Sequence, residues 1–264
     1  MTQEYIKNPD LLNYTLGEDY IRDEKLNELV KGKTIAMVGP APNLQGSAMG
    51  EFIDSHDLIF RVGDSPVGFL GQNDRCVDYG SRSDVLVHSF NDHDRPQLQQ
   101  DIQWLRSLKY LLQPMVRSYE TPRQLEWFKM IDVPVHHVPD HHMKSDKHWN
   151  KGKPGYLYDY LGSLPNTGFI GILAMLNYDI KYMYITGYTF YNMGKWSNSG
   201  PSYFDSWYET DKFKAHGLNE SQKLHNPNHY IQHFRDILKI EKHRDKIKLD
   251  TFLTENFDKS NSNE

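Results

Sequence analysis

The chain has 264 residues and a formal net charge of −5, with 38% hydrophobic and 25% charged residues. This length allows a full hydrophobic core and favours one large domain over two small ones. The negative charge argues against a general nucleic-acid-binding protein, which needs a basic surface. The only cysteine, Cys76, can form no internal disulfide. No apolar run approaches the ~18 residues of a membrane span, and the N-terminus is unlike a signal peptide. We therefore expect no transmembrane segment and a cytoplasmic location.

The first predicted elements are a short amphipathic helix and a strand–loop–helix unit. Residues 1–32 carry apolar residues at helical spacing between 21 and 30, which predicts a helical extension packed on the main domain. The apolar run at 34–38 then stops at Gly39 and turns through a Pro-rich loop that ends at Asn43, which indicates a buried strand and a turn. A helix is predicted to follow, with Ser47 at its N-terminus.

Strands and helices alternate along the rest of the chain. Further strands are predicted at 58–62, 85–87, 110–112, 133–138 and 182–188, and helices at 96–105, from 121, from 167 and at about 228–243. This alternation is typical of an α/β fold with a Rossmann-like, mostly parallel sheet flanked by helices, which binds ligands at the carboxyl ends of its strands. The main domain is predicted to span 33–257, and the polar residues 258–264 to form a flexible tail.

Two predicted helix starts suit an anionic ligand. One lies near Ser47, and the other follows Asn166, where Thr167 and Gly168 precede a helix that is apolar nearly all round. A helix N-terminus presents unpaired N–H groups and the positive end of the helix dipole, which favour a phosphate.

The motifs of the first half resemble those of the sialyltransferases of glycosyltransferase family 29. The similar segments are Val38-Gly39, Asn43 to Gly50, Ile53 to Asp57, Arg61, and Asp78 to Arg82, in the family's order and spacing. A second segment, from Pro165 to Phe169, resembles the family's small motif, with Asn166 in place of Ser. The resemblance implies a glycosyltransferase with a variant of the GT-A fold.

This resemblance also implies a reaction and a set of site residues. The reaction is the inverting transfer of a sialic acid or related 2-keto sugar acid from a CMP-activated donor to a glycan hydroxyl, without a metal ion or other cofactor. His225 would act as the general base, while Asp54 and Arg61 would hold the fold together. Tyr203 and Asp205 would belong to a lid or to the acceptor site. The residues expected to bind the nucleotide are Gly39, Asn43, Ser47, Gly63, Asn166, Thr167, Gly168 and Tyr188.

Several positions depart from the family pattern. Pro40 and Gly63 stand where the family often has asparagines, and Tyr230 stands where a glutamate follows the catalytic histidine. Ile35 and Ile180 replace the cysteines that form a disulfide in the animal enzymes. A CMP-Kdo transferase, or a non-catalytic relative that binds nucleotide or glycan, therefore remains an alternative.

Two other interpretations are disfavoured by the residues themselves. An NAD-dependent oxidoreductase would need the G-x-G-x-x-G spacing, which the loop after residue 38 lacks. The four histidines at 136, 137, 141 and 142 fit no zinc-binding template, so we interpret them as surface or strand-edge residues.

Overall fold

The computed structural model describes residues 22–63, 67–68, 71, 73–90, 98–116, 127–139, 166–190 and 227–258. The strands of these segments form one seven-stranded sheet in the order β5-β4-β3-β2-β1-β6-β7, with every pair parallel. They are β1 (Thr34–Val38), β2 (Leu58–Val62), β3 (Val85–Val87), β4 (Tyr110–Val116), β5 (Val135–Pro139), β6 (Tyr182–Thr186) and β7 (Ile247–Leu249). The predicted α/β class with a mostly parallel sheet is confirmed.

Helices cover both faces of this sheet. They are α1 (Glu24–Val30), α2 (Gly50–Asp54), α3 (Cys76–Tyr79), α4 (Ile102–Ser107), α5 (Thr167–Leu176), α6 (Pro227–Leu238), α7 (Glu241–Arg244) and α8 (Thr251–Asp258). Short 3-10 turns lie at Pro42–Leu44 and Gln99–Asp101, and residues 127–131 are helical. None of the described helices is long and apolar enough to cross a membrane.

The strand order reverses next to β1, and this reversal decides where a ligand can bind. From β1 the chain builds the sheet in one direction as far as β5, and it then returns to add β6 and β7 on the other side of β1. The connection that follows β1 therefore leads to β2 on one side, and the connection that follows β6 leads to β7 on the other side. In open parallel sheets such a switch point opens the crevice in which ligands bind.

Helix α5 forms the centre of the main core. Its residues from Gly168 to Leu176 are all buried, because the helix is apolar on every side and lies between the sheet and its neighbours. Gly171 allows the helix to lie directly on β3, since a Cβ there would come within 2.7 Å of the Val87 side chain. The same core contains Leu26 and Val30 of α1. The close packing fixes the N-terminus of α5 at the carboxyl edge of the sheet.

The N-terminal helix is held by a network around Asp23. The Asp23 carboxylate accepts from the Leu26 N–H (2.8 Å) and so caps α1, and it also accepts from the Tyr110 hydroxyl (2.6 Å). Burial alone would raise the pKa of Asp23, but these hydrogen bonds outweigh it and hold the pKa below its usual value. The helix is thus fastened to β4, 87 residues away in sequence.

The structure corrects several predicted boundaries. Helix α2 begins at Gly50 with Met49 as its N-cap, two residues later than the predicted N-cap at Ser47, and it has five residues. The helix predicted at about 228–243 is divided into α6 and α7. Helix α3, strand β7 and helix α8 were not predicted.

Candidate functional site

The loops that leave β1 and β6 are joined to each other at the switch point. The Gly39 N–H donates to the Thr186 carbonyl (2.9 Å), and the Ala41 N–H donates to the Gly187 carbonyl (2.9 Å). Gly187 has a φ of 71°, and a Cβ on either Gly39 or Gly187 would overlap the carbonyl of the other. Both positions require glycine because the two backbones are in direct contact.

The Tyr188 side chain fills the space between these loops and the start of α5. A Cβ on Gly39 would lie 3.0 Å from the Tyr188 ring, and a Cβ on Gly168 would lie 2.7 Å from it. Tyr188 is buried, and its hydroxyl has no hydrogen-bond partner among the described residues. Burial raises the pKa of this phenol well above its usual value, so the hydroxyl stays protonated at neutral pH.

The N-terminus of α5 presents unpaired donors beside this hydroxyl. Asn166 caps the helix: its side-chain oxygen accepts from the Phe169 N–H (2.7 Å), and its carbonyl accepts from the Ile170 N–H (3.1 Å). The N–H groups of Thr167 and Gly168 have no acceptor in the described part of the chain. Two N–H groups at the positive end of a ten-residue helix, next to a buried hydroxyl, suit an anionic group such as a phosphate.

A second set of polar groups connects the loop after β1 to Asp250, which follows β7. Asn43, in the 3-10 turn after β1, donates from its side-chain nitrogen to the Asp250 carboxylate (3.3 Å). The Asn43 amide oxygen is buried and has no hydrogen-bond partner in the described residues. Asp250 was not among the predicted site residues.

The loop around Ser47 is organised differently from the prediction. The N–H groups of Gly46 and Ala48 both donate to the Asp78 carboxylate (2.8 and 2.9 Å), and Ser47 between them is exposed. The expected helix N-terminus at Ser47 is therefore wrong, because an internal carboxylate binds the donors on either side of it. The role of Ser47 in nucleotide binding stays a prediction.

The structural role predicted for Asp54 and Arg61 agrees with their contacts. The Asp54 carboxylate accepts from the N–H groups of Ser81 (2.7 Å) and Arg82 (3.1 Å). Arg61 is fully buried and donates to the carbonyls of Tyr79 (2.6 Å) and Arg82. Burial lowers the pKa of Arg61 to about 10, so it remains charged at neutral pH. These contacts bind α2 and α3 to the sheet.

Gly63, directly after β2, can reach a ligand only through its backbone. It has a φ of 57°, and its N–H donates to the Val87 carbonyl (2.9 Å). No heavy atom of the described residues lies within 4 Å of the position that a Cβ would take. The nucleotide-binding role of Gly63 stays a prediction.

Tyr230, at the position of the family's glutamate, is a packing residue. Its ring is fully buried on α6, edge-on to Phe169 (centroids 5.1 Å apart) and stacked on Phe190 (6.2 Å). The Tyr230 ring therefore packs against the first turn of α5 through Phe169. The other residues predicted for this half of the site, His225, Tyr203 and Asp205, lie outside the described residues, as do His141 and His142.

His136 and His137 lie within β5, and the described residues contain no cluster of ligands for a metal ion. His137 shares a hydrogen bond with the Gln113 side chain (2.5 Å). Burial lowers the pKa of both histidines. Strand β5 is at the end of the strand order, which agrees with the interpretation of this pair as strand-edge residues.

The arrangement defines a Rossmann-like α/β domain with a candidate anion site at its switch point. Residues 16–140 match the family model of glycosyltransferase family 29 (sialyltransferase). The resemblance that the motifs predicted is confirmed over these residues, which end before α5.

Two solved structures resemble the chain in fold: a mammalian sialyltransferase, and a mammalian sialyltransferase in complex with Gal-beta-1-3GalNAc-ortho-nitrophenol. The sequence identity is 17% to each, and the similarity covers 93% of this chain and 80% and 81% of the others, with TM-scores of 0.49 and 0.48. No curated protein matches the chain.

Proposed function

We propose that the chain is a glycosyltransferase that moves a sialic acid or a related 2-keto sugar acid from a CMP-activated donor to a glycan hydroxyl. The observation that carries this proposal is the start of α5, where the N–H groups of Thr167 and Gly168 lie beside the Tyr188 hydroxyl. None of these three groups has a hydrogen-bond partner among the described residues. The family 29 match of residues 16–140 supports the same class of enzyme.

The donors at the start of α5 suit the charge that develops in such a reaction. As the sugar leaves CMP, negative charge grows on the phosphate. Preorganised N–H groups and a neutral phenol can stabilise it without reorganising. These groups would take the place that a divalent cation has in other nucleotide-sugar enzymes, so we propose a metal-independent reaction that needs no other cofactor.

The acceptor hydroxyl must lose a proton when it attacks the sugar from the opposite face. An imidazole titrates near neutral pH and is suited to take that proton. We propose His225 as this general base and inversion as the stereochemical outcome. Tyr203 and Asp205 remain proposed lid or acceptor residues.

Nucleotide binding tests the position of the phosphate. In Tyr188→Phe only the hydroxyl is removed, and no described group loses a hydrogen bond. A hydrogen bond to a charged group contributes about 1.5–3 kcal/mol, so we expect the affinity for CMP to fall about 10- to 100-fold with little change in melting temperature. Tyr182→Phe, at the amino end of β6, is the matched control and should bind CMP normally. Equal affinities in all three proteins would contradict the proposed phosphate site.

Turnover tests the reaction itself. We expect the purified protein to transfer from CMP-sialic acid or CMP-Kdo to a glycan acceptor, with no loss of rate in EDTA. His225→Ala should abolish transfer and retain CMP binding. CMP binding without turnover of either donor would identify a non-catalytic relative. Binding of NADH in place of CMP would contradict the proposal.

A further inference from the structure

Asp250, which follows β7, connects three parts of the fold around one carboxylate. It is 7% exposed. One oxygen accepts from the Leu253 N–H (2.8 Å) and caps α8. The other accepts from the Thr186 hydroxyl (2.8 Å), the Asn43 side-chain nitrogen (3.3 Å) and the Gly187 N–H (3.4 Å). The carboxylate therefore links β7 to the joined loops after β1 and β6.

These contacts determine which way the Asn43 amide faces. An oxygen that already accepts from Thr186 and Gly187 can offer Asn43 only another acceptor. The amide must therefore turn its nitrogen toward Asp250, and its oxygen is left buried without a partner in the described residues. A buried oxygen without a donor is unfavourable, so this part of the site is incomplete without a ligand.

We propose that Asp250 is a positioning residue, which fixes Asn43 so that its amide oxygen accepts a hydrogen bond from a donor group of the nucleotide. The inference rests on the proposed function. Phosphate oxygens at neutral pH only accept hydrogen bonds, so Asn43 does not contact the phosphate. The donor groups of CMP are the two ribose hydroxyls and the cytosine amino group. Asn43 is thus assigned to the nucleoside, while the start of α5 is left to the phosphate.

Four nucleotides distinguish which of the three donor groups of CMP binds the Asn43 oxygen. Dissociation constants for CMP, 2′-deoxy-CMP, 3′-deoxy-CMP and UMP are measured by titration calorimetry on the wild type. We expect one of the three analogues to bind about 5-fold more weakly than CMP, which is typical of one neutral hydrogen bond. The weakened analogue identifies the donor group.

Substitutions then test whether the weaker binding of this analogue depends on Asn43 and Asp250. In Asn43→Ala the 5-fold difference between CMP and the weakened analogue should disappear. It should also disappear in Asp250→Asn, whose new amide can donate to the Asn43 oxygen and reverse its orientation. Asp250→Ser keeps a helix cap for α8 but removes the acceptor for Asn43. It replaces Asp250→Asn as the test variant if Asp250→Asn folds poorly. Thr186→Val is the control variant. It removes another donor to Asp250 and should keep the 5-fold difference in affinity between CMP and the weakened analogue.

The outcomes distinguish this inference from the proposed function. If CMP binds and the wild type does not discriminate among the four nucleotides, the role of Asn43 is wrong. If the difference survives in Asn43→Ala or in the folded Asp250 variants, the positioning role is wrong. A merely structural Asp250 would weaken all four nucleotides equally. Absence of any CMP binding by the wild type would overturn the proposed function and this inference together.

Discussion

The stability of the fold should depend on pH through His233 on α6. This side chain is 2% exposed, and neither ring nitrogen has a hydrogen-bond partner among the described residues. Its ring lies against Phe169, with the centroids 5.6 Å apart. Burial lowers the pKa of His233 from 6.5 to about 4, although the nearby Asp236 carboxylate partly opposes this shift. The folded protein therefore keeps a neutral imidazole at a pH where the unfolded chain binds a proton.

The sign and size of the effect follow from these two pKa values. Because the folded pKa is depressed, the contribution to stability is complete above pH 6.5 and is lost as the pH falls toward 4. A shift of about 2.5 units corresponds to about 3 kcal/mol in total, of which about 2 kcal/mol is lost between pH 7 and pH 5.

Urea unfolding of the wild type and of His233→Leu at pH 7 and pH 5 measures this contribution. The free energy of unfolding of the wild type should fall by about 2 kcal/mol more than that of the variant over this range. His243, whose pKa burial also lowers to about 4, is present in both proteins and cancels in the comparison. At pH 7 the variant should be about as stable as the wild type, since leucine replaces an unpaired ring of similar volume. Equal losses in the two proteins would refute the argument that His233 is buried neutral.

Three further predictions concern the start of α5. Asn166→Ala should lower the free energy of unfolding by about 1 kcal/mol through loss of the helix cap. Asn166→Asp should keep that stability but weaken CMP binding, because it adds a negative charge at the proposed phosphate site; unchanged affinity would place the phosphate elsewhere. Gly168→Ala should also weaken CMP binding, since the new Cβ would lie 2.7 Å from the Tyr188 ring. Overpacking should destabilise the fold by about 1–3 kcal/mol and outweigh the gain of about 1 kcal/mol in helix propensity, so the melting temperature should fall. A melting temperature above that of the wild type would contradict this packing.

The alternation of apolar segments predicted the fold class, the first six strands and the buried helix from Thr167. These elements are long or strongly apolar, so the sequence pattern alone identifies them. Strands β3 and β7 both have three residues, but β3 is apolar throughout, whereas β7 has a lysine at its centre and gives no apolar run. The signal at this point was Asp250 itself, an N-cap type residue directly before α8.

Tertiary contacts explain what the sequence could not predict at the site. The predicted helix at Ser47 fails because Asp78, about 30 residues away, accepts from the neighbouring N–H groups. The motif resemblance identified Tyr188 as a site residue, but its place beside Gly168 depends on the positive φ of Gly187, which redirects the chain after β6. Local patterns contain neither the contact nor the change of direction.

Among the described residues, Gly63 leaves room for a larger side chain directly after β2. Asparagine is among the few residues that tolerate a positive φ, and no described atom lies within 4 Å of a Cβ at Gly63. A Gly63→Asn substitution would therefore add one amide side chain directly after β2 and leave the backbone that carries it unchanged.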